Sequence, residues 1–347
     1  MNSTTGTTQD SPNSALRAPN RTHQTSNSAH RTYLITGGAG FIGSHLVDKL
    51  LDRGDSIVVI DEFNDYYNPC IKRQNIYQHT HNPNFKLYET DIRDSITINQ
   101  IIETHKPDCV VHLAARAGVR PSLQDPTLYY DVNVMGTLNV LEAMKKNNVP
   151  QIVFASSSSV YGNRASGPFK ETDNTDAQIS PYGASKKAGE LLCHTYAHLY
   201  DIKTTCLRFF TVFGPRNRPD MACYLFTKEI LDQKPITMFG DGSTGRDYTF
   251  VDDTVSGILA AIDNPLPFEI INLGNSSPVL LKDLIIIIEK VSGNKATIIS
   301  QPQQPGDVQL TYADISKAKS LLGWEPKTSL EVGLKSLLVW MIEWTHV

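Results

Sequence analysis

The chain has 347 residues, of which 40% are hydrophobic and 20% are charged, and its formal net charge is −4. This composition is typical of a globular protein with one large domain or two closely packed ones. It predicts no nucleic-acid partner, because there is no basic excess, and no membrane association, because no apolar run approaches the ~20 residues of a spanning helix.

The N-terminal region and the cysteines predict the compartment. Residues 1–30 are rich in Ser, Thr and Asn and lack the apolar core of a signal peptide, so we expect a disordered tail. The five cysteines are scattered, odd in number and without CxxC spacing. They predict reduced thiols and a cytoplasmic protein.

From Arg31 onward, short apolar runs alternate with helical patterns. This alternation predicts an α/β fold, with a mostly parallel sheet covered by helices on both faces, in a first domain over residues 31–214. Ligands of such folds bind beyond the carboxyl ends of the strands. We expect strands at 32–36, 56–60, 85–88, 109–114, 151–156 and 204–208, and helices at 41–53, 95–104, 128–147 and 181–199.

After residue 214 the texture of the sequence changes. Gly and Pro become frequent and the elements become shorter. We expect a strand at 268–273 and a helix near 280–291. The pattern predicts a smaller α/β lobe over residues 215–347, with segments that return to the first domain.

Residues 36–43 (TGGAGFIG) follow the first strand and open the first helix. Glycines at Gly37, Gly40 and Gly43 allow a tight turn and close backbone approach, and a helix N-terminus favours an anion. An ordinary turn is the alternative. In this setting the stretch, with Phe41 and Ile42, predicts a pyrophosphate site and a Rossmann-type dinucleotide fold.

The ends of the next strands continue the predicted cofactor site. Asp61 lies 18 residues past Gly43, where a carboxylate accepts from the ribose hydroxyls and repels a 2′-phosphate, so NAD is favoured over NADP. Asp91 could accept from the adenine amino group while Ile92 packs on the ring. Solvated carboxylates are the alternative at both aspartates. Small or apolar residues after strand four allow the cofactor to pass close by: Leu113, Ala114 and Ala115.

His112 also ends strand four, but no cysteine or second histidine stands at ligand spacing from it. We therefore interpret it as a satisfied interior histidine, and we predict no metal site anywhere in the chain.

Tyr182 and Lys186 are four residues apart, so both lie on one face of the predicted helix. A second Tyr-x-x-x-Lys pair exists at Tyr224 and Lys228, but only Tyr182 follows the serine run after strand five. We expect Ser157 and Ser158 to contact the substrate and Ser157 to relay its proton. The neighbouring serines remain alternatives for that relay.

The chemistry of this pair is acid–base catalysis by a phenol. A free tyrosine has a pKa near ~10, and lowering it by ~3 units requires about 4 kcal/mol. A lysine ammonium and an oxidised nicotinamide nearby favour the phenolate. We therefore expect Tyr182 to act as the base, with Lys186 lowering its pKa.

At these residues the sequence resembles the extended short-chain dehydrogenase/reductase family over nearly the whole chain after the tail. Within that family it is most similar to the UDP-glucuronate 4-epimerases, which are NAD-dependent isomerases of a nucleotide sugar. The resemblance rests on residues 61–67 (DEFNDYY), 112–120 (HLAARAGVR), 156–162 (SSSSVYG) and 207–222 (LRFFTVFGPRNRPDMA).

The resemblance implies roles for individual residues. Thr211 and Arg218 match positions that hold the sugar carboxylate, Arg246 matches a diphosphate-binding arginine, and Asp307 matches a uridine-ribose contact. The catalytic positions of the family fall on Ser157, Tyr182 and Lys186. Its NAD contacts fall on Gly37, Gly40, Phe41, Ile42, Asp61, Asp91, Ile92 and Lys186.

The resemblance also implies a reaction and an assembly. A tightly bound NAD is regenerated in each turnover, UDP-glucuronate and UDP-galacturonate interconvert through a 4-keto sugar, and the chain forms a homodimer. A UDP-glucose 4-epimerase and a UDP-glucuronate decarboxylase are the alternatives. A 4,6-dehydratase fits less well, because serines replace its acidic residues after strand five.

Overall fold

The structure is a computed structural model, and it describes residues 30–164, 167–303 and 308–344. The predicted disordered tail, apart from His30, and the predicted substrate residue Asp307 therefore lie outside the described residues.

The described residues form an α/β fold with thirteen strands and twelve α-helices. The strands are β1 (Thr32–Thr36), β2 (Ser56–Asp61), β3 (Phe85–Glu89), β4 (Cys109–His112), β5 (Gln151–Ser157), β6 (Lys203–Phe209), β7 (Thr211–Phe213), β8 (Ile236–Phe239), β9 (Gly245–Phe250), β10 (Phe268–Leu273), β11 (Pro278–Leu280), β12 (Ile298–Gln301) and β13 (Leu310–Thr311). The helices are α1 (Phe41–Asp52), α2 (Pro69–Ile76), α3 (Ser95–His105), α4 (Val119–Gln124), α5 (Pro126–Tyr130), α6 (Gly136–Lys146), α7 (Pro181–Tyr200), α8 (Ala222–Leu231), α9 (Val251–Asp263), α10 (Leu281–Ser292), α11 (Ser316–Leu322) and α12 (Leu330–Trp344).

Seven strands form the central sheet in the order β10-β6-β5-β4-β1-β2-β3. Every neighbouring pair in it is parallel. The strand order reverses between β1 and β4, which opens a crevice at the carboxyl ends of these two strands. This doubly wound sheet confirms the predicted Rossmann-type fold.

The predicted elements of the first domain are found within a few residues of their expected ends. The strand expected at 109–114 stops at His112. Leu113 still donates to the carbonyl of Thr36, but the amide of Ala114 donates to the Thr36 hydroxyl and not to a backbone carbonyl. The helix expected at 128–147 is divided into α5, a π-helical turn over Asp131–Met135, and α6.

The chain after residue 214 contributes to two layers. Its strands β9, β11 and β13 form a second sheet, which β7 joins by pairing with β9, and β8 pairs with β12. Strand β10, however, forms the edge of the central sheet beside β6. Helix α9 packs against α1 of the first domain.

A continuous apolar core joins the two parts of the chain. One buried cluster contains Ile35 and Val59 of the central sheet together with Phe213, Tyr248 and Leu334. A second cluster fills the opposite face of the central sheet, where α3, α6 and α7 lie. Within the described ranges, no helix combines the length and apolarity needed to cross a membrane.

Close backbone contact fixes the turn between β1 and α1. Gly37 has a positive φ of 71°, and a Cβ at this position would lie 2.8 Å from the amide nitrogen of Ala114. A Cβ on Gly43 would lie 2.2 Å from the carbonyl oxygen of Gly37. Only glycine at both positions lets the helix begin this close to the two strands.

We therefore expect Gly43→Ala to lower the free energy of unfolding by about 1–3 kcal/mol, the usual cost of overpacking a tight contact. Chemical denaturation of the purified protein measures this change. Lys49→Ala, at an exposed position of the same helix, is the control and should change stability by less than about 0.5 kcal/mol. Equal effects of the two substitutions would contradict the close-contact argument.

Candidate active site

A cleft lies at the carboxyl ends of the central strands, beside the crevice between β1 and β4. Its cavity volume is about 210 Å³. All of the residues predicted to bind the cofactor line it: Gly37, Gly40, Phe41, Ile42, Gly43, Asp61, Asp91, Ile92, Leu113, Ala114, Ala115 and Lys186.

The glycine turn leaves the N-terminus of α1 facing this cleft. Gly40 is the N-cap residue of the helix and provides no side-chain hydrogen bond to the first-turn amides. Those amides and the helix dipole suit an anionic diphosphate. A side chain at Gly37 would meet the backbone of Ala114, so glycine here lets the turn lie directly against the end of β4.

Asp61 ends β2 and is held by its surroundings. Its carboxylate accepts hydrogen bonds from the amides of Ala39, at 3.2 Å, and Phe63, at 3.0 Å. The Nζ of Lys72, on α2, lies 3.6 Å from the same carboxylate, and both side chains are buried. Lys72 was not expected at this site, because it lies eleven residues after Asp61 on a helix that the sequence pattern does not predict.

Three charged groups surround the expected adenine position. Asp91 accepts hydrogen bonds from the side chain of Arg93, and although burial opposes it, this contact holds the pKa of Asp91 below its usual value. Burial raises the pKa of Glu62, and the neighbouring carboxylate of Asp91 raises it further, although the contact with Asn64 opposes the shift. The pair therefore retains a proton more readily than two separate carboxylates would.

His112 joins the ends of β1 and β4 to the helix layer. Its Nδ1 lies 2.6 Å from the hydroxyl of Thr36, and its Nε2 lies 3.0 Å from the hydroxyl of Thr137. Burial, followed by the charge of Lys186, lowers the pKa of His112 to about 3, so the ring is neutral. These contacts confirm the interpretation of His112 as a satisfied interior histidine. The described residues contain no cluster of metal-ligating side chains.

Ser157, Tyr182 and Lys186 come together where β5 meets the start of α7. Tyr182 and Lys186 line the cleft, and the hydroxyl of Ser157 lies near enough to that of Tyr182 to influence its pKa. The ammonium of Lys186 donates to the carbonyl of Ala155 at 2.8 Å. Ser156, and not Ser157, is among the described residues that line the cleft. The hydroxyl of Ser156, however, donates to Glu190 at 2.7 Å.

The charges around Tyr182 differ from those expected from the sequence. Burial raises the pKa of Tyr182, while the nearby hydroxyl of Ser157 and the charge of Arg218 lower it. Burial lowers the pKa of Lys186 to about 8. The protein alone therefore does not make Tyr182 more acidic than a free tyrosine, and Arg218 supplies positive charge that the sequence analysis assigned only to Lys186 and the nicotinamide.

The π-helical turn before α6 adds a residue that the sequence analysis missed. The side chain of Asn133 accepts from the amide of Arg116 at 2.7 Å, and it donates to the carbonyl of Arg116 and the hydroxyl of Ser185, both at 2.9 Å. Ser185 in turn donates to the carbonyl of Tyr182. Asn133 therefore ties the loop after β4 to the helix that carries Tyr182. No periodicity in the sequence indicates this role.

The predicted substrate residues occupy three places. Arg218 lines the cleft with Tyr66, and the two form an ion-pair cluster with Asp220. Thr211 begins β7 and pairs with Tyr248 of β9, the strand that also contains Arg246. Arg246 donates to the carbonyls of Gly245 and Val308. Ser158 starts the 3₁₀ turn after β5, and neither it nor Thr211 nor Arg246 is among the described residues that line the cleft.

The alternative pair at Tyr224 lies elsewhere. Tyr224 is on α8 and its ring packs edge-on against Trp340, with 6.4 Å between ring centroids. Lys228 pairs with Asp232 on the same helix. Neither residue of this pair is among those that line the cleft in the described part of the chain.

The doubly wound sheet, the glycine turn and the Ser157–Tyr182–Lys186 set together define an α/β enzyme of the dinucleotide-binding Rossmann class. The family model described as GDP-mannose 4,6 dehydratase matches residues 34–337. The chain therefore belongs to this epimerase/dehydratase family of extended short-chain dehydrogenases/reductases, which confirms the family predicted from the sequence.

Relatives in this family are named as sugar-nucleotide epimerases. The UDP-glucuronate 4-epimerase of Thermodesulfobacterium geofontis is 45% identical over 312 residues, which cover 90% of this chain and 96% of that protein. The Bacillus cereus UDP-glucuronic acid 4-epimerase, solved with UDP-glucuronic acid and NAD, has a TM-score of 0.85 and 38% identity, covering 90% of this chain and 99% of its own. The Thermotoga maritima UDP-glucose 4-epimerase, solved with UDP-glucose, has a TM-score of 0.84 and 34% identity, with the same coverage.

We expect the buried ammonium of Lys186 to lower the stability of the cofactor-free protein. Its pKa is about 8 in the folded chain against the usual 10.5, so the unfolded chain binds more protons between these values and stability rises with pH there. At pH 7 the buried charge is a cost. We expect Lys186→Met to raise the free energy of unfolding of the cofactor-free protein by about 1–2 kcal/mol at pH 7, after the loss of the bond to Ala155 is included.

Urea unfolding at pH 7 and pH 9.5 measures this effect. The gain should be smaller at the higher pH, because wild-type Lys186 is then largely neutral. Lys146→Met, at an exposed position of α6, is the control and should show no such pH-dependent difference. Destabilisation by Lys186→Met at pH 7 would contradict the prediction.

Proposed function

We propose that the protein is an NAD-dependent 4-epimerase that interconverts UDP-glucuronate and UDP-galacturonate through a transient 4-keto sugar. The observation that carries this proposal is the position of Tyr182, which lines the same cleft as Lys186 and Arg218 and has Ser157 beside it. The relatives named as UDP-glucuronate 4-epimerases support the choice of sugar.

The cofactor-facing residues would hold NAD, which supplies the hydride acceptor and, once reduced, the hydride donor, so that no net oxidation occurs and the cofactor stays bound. Gly40 and the start of α1 hold the diphosphate, and Asp61 holds the adenosine ribose. These assignments are consistent with the residues that line the cleft and with Gly40 as the N-cap of α1. Lys186, which lines the cleft one helical turn after Tyr182, is assigned to the nicotinamide ribose.

Tyr182 takes the proton from O4 as the C4 hydride leaves, and it returns a proton to O4 when the hydride is added to the opposite face. Ser157 hydrogen-bonds the same oxygen and relays its proton. Because burial raises the pKa of Tyr182 in the protein alone, the further positive charge that favours its phenolate must come with the bound cofactor.

The sugar must turn over between the two hydride steps while UDP stays anchored. Arg246 is assigned to the diphosphate, Asp307 to the uridine ribose, and Ser158 to the sugar. The 4-keto uronate is a β-keto acid and loses CO₂ readily. Arg218 and Thr211 hold its carboxylate in one orientation and thereby oppose decarboxylation. Loss of CO₂ requires the breaking C–C bond to align with the π orbitals of the neighbouring carbonyl, and a fixed carboxylate prevents this alignment.

A UDP-glucose 4-epimerase is the second candidate, and the similarity to the Thermotoga maritima enzyme supports it. The half-buried guanidinium of Arg218 in the cleft favours an anionic sugar instead. A UDP-glucuronate decarboxylase would use the same catalytic set and would release CO₂ from the same intermediate.

We further propose a cytoplasmic homodimer. The five cysteines form no disulfide, which is consistent with a reducing compartment. In α7, Leu191 and Leu199 are 58% and 59% exposed, whereas Tyr196 on the same helix is buried and bonds Glu142. Helices α4, α5 and α6 pack against α7, and Leu123 and Met135 beside it are also exposed.

The function is tested by incubating purified protein with UDP-glucuronate and no added NAD. We expect UDP-galacturonate without CO₂ release, and much slower conversion of UDP-glucose. Chromatography of the sugar nucleotides measures both products. Turnover of UDP-glucose with none of UDP-glucuronate would favour the second candidate, and a UDP-pentose with CO₂ would favour the decarboxylase.

Tyr182→Phe should lower kcat by about 10²–10⁴-fold, the usual contribution of general acid–base catalysis. Tyr224→Phe is the matched control, because that tyrosine begins the alternative Tyr-x-x-x-Lys pair on α8, and it should leave kcat within about twofold. If Tyr182→Phe epimerises the substrate at an unchanged rate, the reaction does not take place at this site.

The homodimer is tested by placing a charge on α7. Leu191→Glu and Leu199→Glu should each produce a monomer, because a carboxylate buried in an apolar interface costs several kcal/mol. Sedimentation velocity measures the mass. Leu225→Glu, at an exposed position of α8, is the control and should leave the mass unchanged. If each of the two α7 variants remains a dimer, the interface lies elsewhere in the molecule.

A further inference from the structure

Arg218, the cleft cation assigned to the sugar carboxylate, already holds a carboxylate of the protein. Its Nε donates to Asp220 Oδ1 at 3.0 Å, and its Nη2 donates to Asp220 Oδ2 at 2.9 Å. This is a two-point pair along one edge of the guanidinium. The hydroxyl of Tyr66 donates to Asp220 Oδ2 at 3.3 Å, and Arg218 lies over the ring of Tyr66, with 5.6 Å to its centroid.

A second carboxylate cannot bind this guanidinium independently of the first. On the Nε/Nη2 edge it must displace Asp220. On the other edge, Nη1/Nη2, it shares Nη2 with Asp220 and lies beside a like charge. In both cases Asp220 weakens the interaction between Arg218 and an incoming anion, while it leaves a neutral sugar unaffected.

The carboxylate of Asp220 can leave its ion pair with Arg218. Its side chain is 42% exposed, against 22% for Arg218, so water can solvate the carboxylate when it leaves the pair. Tyr66 keeps Arg218 in the cleft by its ring contact. Exchange of one carboxylate for another therefore exposes no buried charge.

We propose that Asp220 is an internal counter-ligand that competes with the sugar carboxylate for Arg218 and so sets how tightly the site holds an anionic sugar. The inference rests on the proposed function. It gives the pair a role in that reaction, because a uronate that must turn over within the cleft has to exchange its contact with Arg218, while Thr211 continues to hold the carboxylate. A competing carboxylate makes this exchange easier.

The test is calorimetric binding in a Tyr182→Phe background, where the ligands are not converted. We expect Asp220→Asn to tighten the binding of UDP-glucuronate by about 5- to 20-fold, the range of coupling between close charges at a partly exposed site. The amide keeps the shape of the side chain. Binding of UDP-glucose and of UDP should stay within about twofold of the unsubstituted background.

The matched control is Asp232→Asn. Asp232 also pairs with a basic side chain, Lys228 at 2.6 Å, but it directly follows α8 and is not among the described residues that line the cleft. This control should leave all three dissociation constants unchanged. Unchanged or weaker binding of UDP-glucuronate by Asp220→Asn, or equal tightening of UDP-glucose, would overturn the proposal.

A second variant keeps the test available if Asp220→Asn does not fold. Tyr66→Phe removes the hydroxyl that holds Asp220 but keeps the ring under Arg218, and it should tighten UDP-glucuronate selectively by about two- to threefold, the equivalent of one partly exposed hydrogen bond. These binding measurements need no turnover. Failure of wild-type epimerisation would therefore contradict the proposed function without deciding the role of Asp220.

Discussion

A buried ion pair holds the catalytic helix against the central sheet. Arg208 of β6 donates to Glu190 of α7 through Nε at 2.7 Å and Nη2 at 2.9 Å, and both side chains are 1% exposed. Burial alone would raise the pKa of Glu190, but the contacts of Arg208 keep it below its usual value. Ser156 donates to the same carboxylate. Because two charges removed from water must remain paired, α7 cannot slide along β5 and β6 without exposing one of them.

The geometry of the site follows from that constraint. Glu190 lies one turn beyond Lys186 and two turns beyond Tyr182 on α7, so the face of the helix that holds the ion pair also presents the catalytic side chains. Lys186 donates to Ala155, the residue before the serine that Glu190 holds. The hydroxyl of Ser157 is thereby placed against Tyr182. Arg218 enters the same cleft from the loop after β7, and the apolar core shared by the two parts of the chain keeps that loop in place.

Much of the fold could be predicted because its signals are local. Strands β1 and β5 are apolar runs, and α7 begins at a serine N-cap followed by proline. Helix α2 was missed because its buried residues are Lys72, Asn75 and Ile76, which form no apolar stripe. The division of the helix expected at 128–147 was also missed. Asn133 uses its side chain to bond two other segments there, and no sequence period reports such contacts.

The sequence by itself determined the glycine turn, the acidic end of β2 and the Tyr182–Lys186 pair. Each of these depends on residues that are close in the chain and on the known geometry of a turn, a strand end or a helix face. Only the tertiary structure decided which charges meet. Lys72 reaches Asp61, Glu190 reaches Arg208, and Tyr66 reaches Asp220 across 154 residues of sequence. The reason is physical. The folded chain sets how far apart two charged groups lie and how much water reaches them, and the order of residues in the sequence determines neither quantity.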